Sequence, residues 1–434
     1  MPDPIITEQR FEDFITLLEA SIGHADRFEP LRAYCTGLLL PGERKSVEPM
    51  AARIDPAHVR QRHQSMHHFI AEAPWDDHEV LRAIRRYALP LIEETGPIEA
   101  WIVDDTGIPK KGTHSVGVTR QYCGQLGKQE NCQVAVTLSL ANPNASLPVA
   151  ARLYLPESWM TDRDRCHRAG VPDDVVFETK KEIALAQIRS MIDEGVPRGT
   201  VLADAAYGND HDFRETLTGW GLLYGVGIQK STTVWPEGSE PIHPPAARQK
   251  KRGQPRKLLR RDARHQPVTV EALARDIPES SWSIVRWREG TRTSLESRFV
   301  ALRVRIAHRD YLRSALRDEE WLLIEWPVDA NDPIHYWLVT LPPETSLRQL
   351  VHVVKMRWRI ERDYEEMKQE LGLGHYEGRG WRGFHHHWTM CIAAYAFLAA
   401  ERCLFPPEEG RFRLSFKEPE LPAMFKRRGS PATA

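Results

Sequence analysis

Residues 102–107 read Ile102-Val103-Asp104-Asp105-Thr106-Gly107, and residues 201–208 read Val201-Leu202-Ala203-Asp204-Ala205-Ala206-Tyr207-Gly208. Each is a short apolar run that emerges into a carboxylate. Runs of this length, closed by Asp and Gly, read as buried strands, which places an acid where each strand ends. An Asp in that position commonly caps a helix or opens a turn. Two such carboxylates also suit Mg2+, a hard ion that takes carboxylate, phosphate and water oxygens.

Working outward, residues 98–103, 133–140 and 149–155 read as three strands. A helix over 178–194 follows, closed by Gly195, then a strand over 200–203, a helix after Asn209 and a strand over 222–228. Three strands, a helix and a fourth strand is the order of a ribonuclease-H-like sheet, so the expected fold class is α/β with a core of that kind. Residues 9–95 are expected to be helical, because Phe11, Phe14, Leu17, Leu18 and Ile22 recur at helical steps and amphipathic stretches follow at 56–72 and 76–92. Gly96-Pro97 punctuates the change. A Pro-rich, basic stretch and short strand-like runs at 283–287, 298–306 and 321–326 make 229–334 a β-rich insertion. Residues 335–341 return to the sheet, and Ser346 with Gln349 forms a capping box that opens one long helix ended by Gly372 and Gly374. An apolar helix over 387–404 precedes a tail. The expected organisation is therefore a helical part (1–95), a core in two pieces (96–228 and 335–405), the insertion between them, and a tail (406–434).

The long helix carries Arg357-Trp358-Arg359-Ile360-Glu361, then Tyr364 and Lys368. Steps of four, three and four put Arg357, Glu361, Tyr364 and Lys368 on one face. Taken alone, that is a solvated stripe whose Arg–Glu pair is worth a few tenths of a kcal/mol, ~0.2–0.5. Together with the strand acids it is a two-metal layout, in which ions about 3.5–4 Å apart clamp the attacking and leaving oxygens of a phosphodiester. Arg357 and Lys368 then flank Glu361 as phosphate contacts.

The chain resembles the insertion-sequence transposases of the DDE superfamily, in particular the group with a Tyr-x2-Arg-x3-Glu-x6-Lys signature and a β-rich insertion before it. Arg357, Glu361 and Lys368 match at the right spacing, and Val354 stands where the signature has Tyr; Tyr364 is the alternative source of that phenol. Further likeness lies in residues 44–49, 104–112, 120–124, 127–133 and 377–381, so it spans about residues 30 to 400. It implies a catalytic and metal-binding triad of Asp104, Asp204 and Glu361, with Asp105 the rival to Asp104. It also implies two Mg2+ ions (or Mn2+), double-stranded DNA partners in the form of terminal inverted repeats and target, a homodimeric synaptic complex, and a helical N-terminal region that binds DNA. Trp358 becomes a base-stacking candidate by the same route. The activity implied is cleavage of element ends and their joining to target DNA. The alternatives are a non-catalytic DNA-binding descendant and a nuclease without strand transfer.

Charge supports DNA contact only locally. Lys+Arg 59 against Asp+Glu 60 gives a formal charge of −1, which excludes indiscriminate coating of DNA. Residues 248–264, however, hold Arg248, Lys250, Lys251, Arg252, Arg256, Lys257, Arg260, Arg261 and Arg264 against one acid, Asp262. Such a run either tracks phosphates, with salt-dependent affinity, or forms a solvated loop. Lys110 and Lys111 follow the first acid and are further candidates for the scissile phosphate. His385, His386 and His387 cannot share one ion, because neighbours on a helix point about 100° apart; structural or DNA-backbone roles are expected. No Gly-x4-Gly-Lys-[Ser/Thr] or Gly-x-Gly-x2-Gly motif occurs, so no nucleotide cofactor is expected. The six cysteines form no Cys-x-x-Cys pair, and no stretch reads as a signal core or membrane span. The expected setting is the bacterial cytoplasm, in association with the nucleoid.

Overall fold

The computed structural model describes residues 4–244, 257–289 and 294–406. Helices α1 (Pro4–Ile22), α2 (Phe28–Leu39), α3 (Val47–Ile54), α4 (Val59–Ala71) and α5 (Asp77–Glu94) come first. Strands β1 (Ala100–Pro109), β2 (Thr119–Cys123), β3 (Lys128–Ala141) and β4 (Ser146–Leu153) follow, then α6 (Glu157–Met160), α7 (Arg163–Arg168) and α8 (Lys180–Asp193). Next are β5 (Thr200–Ala203), α9 (Ala205–Gly208), α10 (His211–Gly219), β6 (Tyr224–Ile228), β7 (Thr233–Pro236), β8 (Val268–Thr269) and α11 (Val270–Arg275). The chain continues through β9 (Ser283–Glu289), β10 (Ser294–Ile306), β11 (Glu320–Trp326), β12 (His335–Val339), α12 (Leu347–Lys355), α13 (Trp358–Gln369) and α14 (Trp381–Leu404). These elements fall into two compact units, Met1–Pro197 with Trp358–Ala434, and Arg198–Arg357. The architecture is mixed α/β.

In the first unit β1 runs antiparallel to β3, from Ala100 opposite Ala141 to Pro109 opposite Cys132. The other edge of β3 takes β2 along its first half and β4 along its second. β1 is longer than the sequence reading of 98–103: pairing with β3 continues past the acids, so Asp104 and Asp105 lie within the strand and not at its end. Side chains alternate along a strand, which sends these two aspartates to opposite faces. In the second unit β5 and β6 are parallel, and β6, β12, β11 and β10 continue antiparallel, with β9 and β7 sharing the far edge of β10.

The first unit is built around α14. Every residue from Gly383 to Glu401 is buried, as expected of a helix that is apolar all round and surrounded by protein. It packs against α2, α4, α5 and β4, and Arg10 of α1 makes a bidentate ion pair to Glu401 at 2.6 Å. Among the described residues no helix is long and apolar enough to cross a membrane.

The three histidines are inside α14, and their roles are structural. His385 Nε2 accepts from the Leu153 N–H, while its Nδ1 lies 3.0 Å from the Trp381 carbonyl. His386 stacks on Trp75 with ring centroids 3.5 Å apart. His387 Nδ1 lies 2.8 Å from the Tyr34 hydroxyl, and its Nε2 lies 3.2 Å from the carbonyls of Gly372 and Leu373. A neutral ring with the proton on Nε2 satisfies every one of these contacts. Burial holds the His387 pKa down at about 4.

That depression has a measurable consequence. Between about pH 6.5 and 4 the unfolded chain binds a proton at position 387 that the folded unit refuses, so stability falls with pH across this window. Urea titrations from pH 7 to 4 should show this acid limb. His387→Gln, which can still donate to the two carbonyls, should flatten it by about 1.4 kcal/mol per pH unit.

Candidate active site

The face of β1 that carries Asp104 also carries Thr106, and Thr137 opposite Asp104 in β3 points the same way. Helix α13 docks on this face. Lys368 Nζ donates to Thr106 Oγ1 at 2.7 Å and to the Gly107 carbonyl at 3.2 Å, and the Tyr364 hydroxyl lies 2.5 Å from Thr137 Oγ1. Burial lowers the Lys368 pKa, opposed by the nearby Cys123 and Asp104. Asp104 Oδ1 accepts from the Asp105 N–H at 2.9 Å. Asp105 itself points to the other face, where Lys180, the first residue of α8, pairs with it at 2.8 Å. The two adjacent acids therefore differ in surroundings: one looks toward α13 and Lys368, the other is engaged by α8.

Glu361 is exposed in the first turn of α13, while Ile360, Asp363, Tyr364 and Met367 form the buried stripe. The spacing i, i+3, i+4, i+7 is that of a core face, yet one of its members is an aspartate. Asp363 is 0% exposed. Its Oδ1 accepts from Ser146 Oγ (2.5 Å) and the Tyr395 hydroxyl (2.8 Å), and its Oδ2 accepts from Ser139 Oγ (2.8 Å). Burial raises its pKa to about 6, against the three hydroxyl bonds. Sequence reasoning missed this residue; the available signal was an acid at a core position of the helical stripe. At the far end of the helix Lys45, 4% exposed, sends Nζ to the carbonyls of Leu38 and Glu370, a cation shared by the C-terminal ends of α2 and α13. Burial lowers its pKa to about 8. Lys45 belongs to the 44–49 stretch singled out in the sequence.

The single long helix expected from residue 346 is in fact two. The Ser346–Gln349 capping box forms as expected, but Met356 and Arg357 stand in a turn between α12 and α13. The end of α12 tightens to i→i+3 bonds, Met356 N–H to the Val353 carbonyl and Arg357 N–H to that of Val354. The shared helical face inferred for Arg357, Glu361, Tyr364 and Lys368 therefore does not exist as such: Arg357 is outside the helix and Tyr364 is buried. Val354, in the signature's Tyr position, packs in a core cluster of the second unit with Phe299, Leu323, Val339 and Leu350. Trp358 is half-buried and lies beneath the Arg359 guanidinium, 5.1 Å from its ring centroid.

Asp204 belongs to the second unit and is the N-cap of α9, its Oδ1 accepting from the Ala206 N–H at 2.8 Å. The turn it starts lies directly on β6. A Cβ on Gly208 would come within 2.0 Å of the Gly227 carbonyl, and one on Gly227 within 2.9 Å of the Ala205 nitrogen. Both glycines are thus required by close approach. Asn209 locks the same turn, accepting from the Gln229 N–H and donating to the Ala205 carbonyl.

The remaining candidates have mixed fates. Lys110 Nζ donates to the Tyr376 carbonyl at 2.7 Å, and burial lowers its pKa to about 8; Lys111 is exposed. Arg248, Lys250, Lys251, Arg252 and Arg256 lie outside the described residues, and Lys257 is exposed. Arg261 is engaged by the buried Asp310 at 2.7 Å. Among the described residues no group of three or more His, Cys, Asp or Glu is gathered as a metal site. The donors nevertheless have the right chemistry for a hard divalent ion, since Asp104, Asp204 and Glu361 offer carboxylate oxygens at positions open to solvent to some degree.

Residues 17–294, more than half of the chain, match the family of DDE superfamily endonucleases, and the chain belongs to that family. Enzymes of this superfamily use divalent metal ions. Within it, the chain is 33% identical over 172 residues to the probable transposase for insertion sequence element IS701 of Microchaete diplosiphon. That alignment covers 39% of this chain and 42% of the relative, less than half of each. The family match includes Asp104 and Asp204 and stops before Glu361.

Two substitutions test the supports of these acids. Gly208→Ala should lower stability by about 1–3 kcal/mol, whereas Gly219→Ala, whose Cβ meets nothing within 4 Å, should change it by less than about 0.5 kcal/mol. Asp363→Ala, which strands three buried hydroxyls, should cost about 2–4 kcal/mol in chemical denaturation.

Proposed function

We propose that this chain is the transposase of a bacterial insertion sequence, which cuts the element's ends and joins them to target DNA by Mg2+-dependent phosphoryl transfer. The observation that carries the reading is the link between the third motif and the first acid. Lys368, in register with Glu361 in the signature, is hydrogen-bonded to the strand of Asp104 on the Asp104 face, while Asp105 is paired with Lys180 on the other. The order of three antiparallel strands, α8, and the parallel pair β5 and β6 separated by α10 supports a ribonuclease-H-like core, with the strands between β6 and β12 as its β-rich insertion.

On this reading Asp104, Asp204 and Glu361 hold two Mg2+ ions. The ions supply activation of water or a 3′ hydroxyl and neutralise the departing oxygen. Arg357 and Lys368 contact the phosphate, Lys368 as a point charge already placed beside β1. Lys110 serves chiefly to hold the segment at Tyr376, leaving Lys111 for phosphate contact. The basic residues from Arg248 to Lys257 follow the duplex backbone, and Trp358 stacks on a displaced base. Two copies of the chain bring two element ends together on DNA.

Duplex oligonucleotides carrying an element end, incubated with protein and Mg2+, provide the test. Wild type should cleave and then join. Asp104→Ala, Asp204→Ala and Glu361→Ala should each lose activity by about 1,000-fold or more, and chelation of the metal should abolish it. Asp105→Ala, which removes the partly exposed pair with Lys180, should keep at least a tenth of the wild-type rate. Cleavage without joining would reduce the assignment to a nuclease, and normal cutting by any triad variant would remove that residue from the site.

A further inference from the structure

We infer that Arg214 is a positioning residue for Asp204: through the Gly208 carbonyl it holds the turn that carries the acid, and Glu320 of β11 supplies the opposite charge that lets a guanidinium sit there. This rests on the reading above, in which Asp204 belongs to the catalytic triad and the strands between β6 and β12 form an insertion, and it gives that insertion a task in the chemistry. Asp204 caps α9, a single turn of four residues. Isolated helices shorter than ~12 residues are marginal in water, so the placement of this one comes from what it touches. Gly208 and Gly227 permit the turn to lie close on β6, but glycine permits other backbone paths as well. A directional bond has to select this one.

Arg214 of α10 provides that bond. It is 4% exposed, and its guanidinium donates to the Gly208 carbonyl and, at 3.3 Å, to that of Asp210. The Gly208 N–H in turn donates to the Asp204 carbonyl at 2.8 Å, and the Ala206 N–H to Asp204 Oδ1 at 2.8 Å. The guanidinium therefore grips the residue that closes the turn on the acid. A cation taken out of water is costly unless an opposite charge compensates it. The field of Arg214 disfavours the charged forms of His211, His308 and Arg317 and favours that of Glu320. Burial raises the Glu320 pKa, with Arg214 the largest opposing influence. Glu320, the first residue of β11, accepts from the Tyr224 hydroxyl at 2.9 Å, and Tyr224 stands opposite Val201 in the parallel pair of β6 and β5. The loop between β10 and β11 adds a second hold on α10. Arg317 donates to the His308 carbonyl at 2.7 Å and to His211 Nε2 at 2.9 Å, and Arg313 pairs with Glu215 at 2.8 Å. Residues far along the chain from Asp204 thus converge on the helix that follows it, all within the second unit.

Amide hydrogen exchange over residues 204–210, together with duplex cleavage by the full chain, tests this inference. Arg214→Gln should speed exchange of the Ala206, Gly208 and Asn209 N–H groups by about tenfold or more. It should lower kcat by about 10- to 100-fold with KM for the duplex within about twofold, since the acid is displaced and the DNA-binding surface is not. Arg214→Lys, which can still donate to the Gly208 carbonyl, should bring kcat back to within about fivefold of wild type. Glu320→Gln, which keeps the side chain's shape, should move exchange and kcat the same way by about three- to tenfold, and it decides the matter where Arg214→Gln does not fold. Arg286→Ala, which removes an exposed pair with Glu296 elsewhere in the second unit, should leave exchange over 204–210 unchanged. If wild type fails to cut while exchange responds as stated, the transposase reading falls and the hold on the turn stands. Unchanged exchange over 204–210 in both Arg214→Gln and Glu320→Gln overturns the positioning role. So does a rise spread evenly over the second unit, or cutting at the wild-type rate by both variants.

Discussion

A carboxylate with no access to water fixes the geometry of the first unit. Burying an ionised carboxylate without partners costs several kcal/mol even after relaxation, roughly enough to cancel a small domain's stability. Asp363 is tolerated because Ser139, Ser146 and Tyr395 aim hydroxyls at it from β3, β4 and α14. Those bonds have directions, which apolar packing lacks. They define both the rotation and the height of α13 against the sheet, and Glu361 and Lys368 are carried on that helix. Tyr364 in the middle, and Lys45 at the Glu370 carbonyl just past the other end, add two more polar anchors to the same helix. A helix whose surface is this charged could slide on a purely hydrophobic seat; the polar anchors prevent it.

Asp204 is positioned differently, by the absence of side chains. Gly208 and Gly227 let the turn after β5 sit directly on β6, and the carboxylate then serves as the cap of its own short helix. Capping occupies one oxygen with a backbone N–H and orients the group. The modest role that any Asp plays at a helix start and the catalytic role proposed for this one are thus compatible in a single side chain.

Much of this was legible in residue order. Strand β5 and its acid, the helix closed by Gly195 with φ of 69°, and the Ser346–Gln349 box all follow from local signals that tertiary contacts did not override. Three features were not. The length of β1 depends on how far β3 keeps pairing, a long-range property with no local signature. The break at Met356 and Arg357 carries neither Pro nor Gly, and it coincides with the boundary between the two compact units. Asp363 looked like one more charge on a charged helix, because its three partners lie between 32 and 224 residues away. What distinguished it was phase: counting from Ile360 and Met367 places position 363 on the inside. The same count puts Tyr364 there and removes it from the proposed polar face.

The histidines of α14 tie the N-terminal helices to the helix that bears Glu361. His386 lies 3.0 Å from the Ile70 carbonyl at the end of α4, and Tyr395, on the same helix, bonds Asp363 of α13. His387 approaches the carbonyls of Gly372 and Leu373 that follow α13. One helix, buried from Gly383 to Glu401, thus touches both α4 and the helix that bears Glu361. Signalling between two sites requires an element with two arrangements of similar energy. A close-packed helix whose polar atoms are satisfied in one arrangement offers a poor candidate. The simpler consequence is metric: within the first unit, α4 and the helix that bears Glu361 are held at a constant separation through their shared contacts with α14.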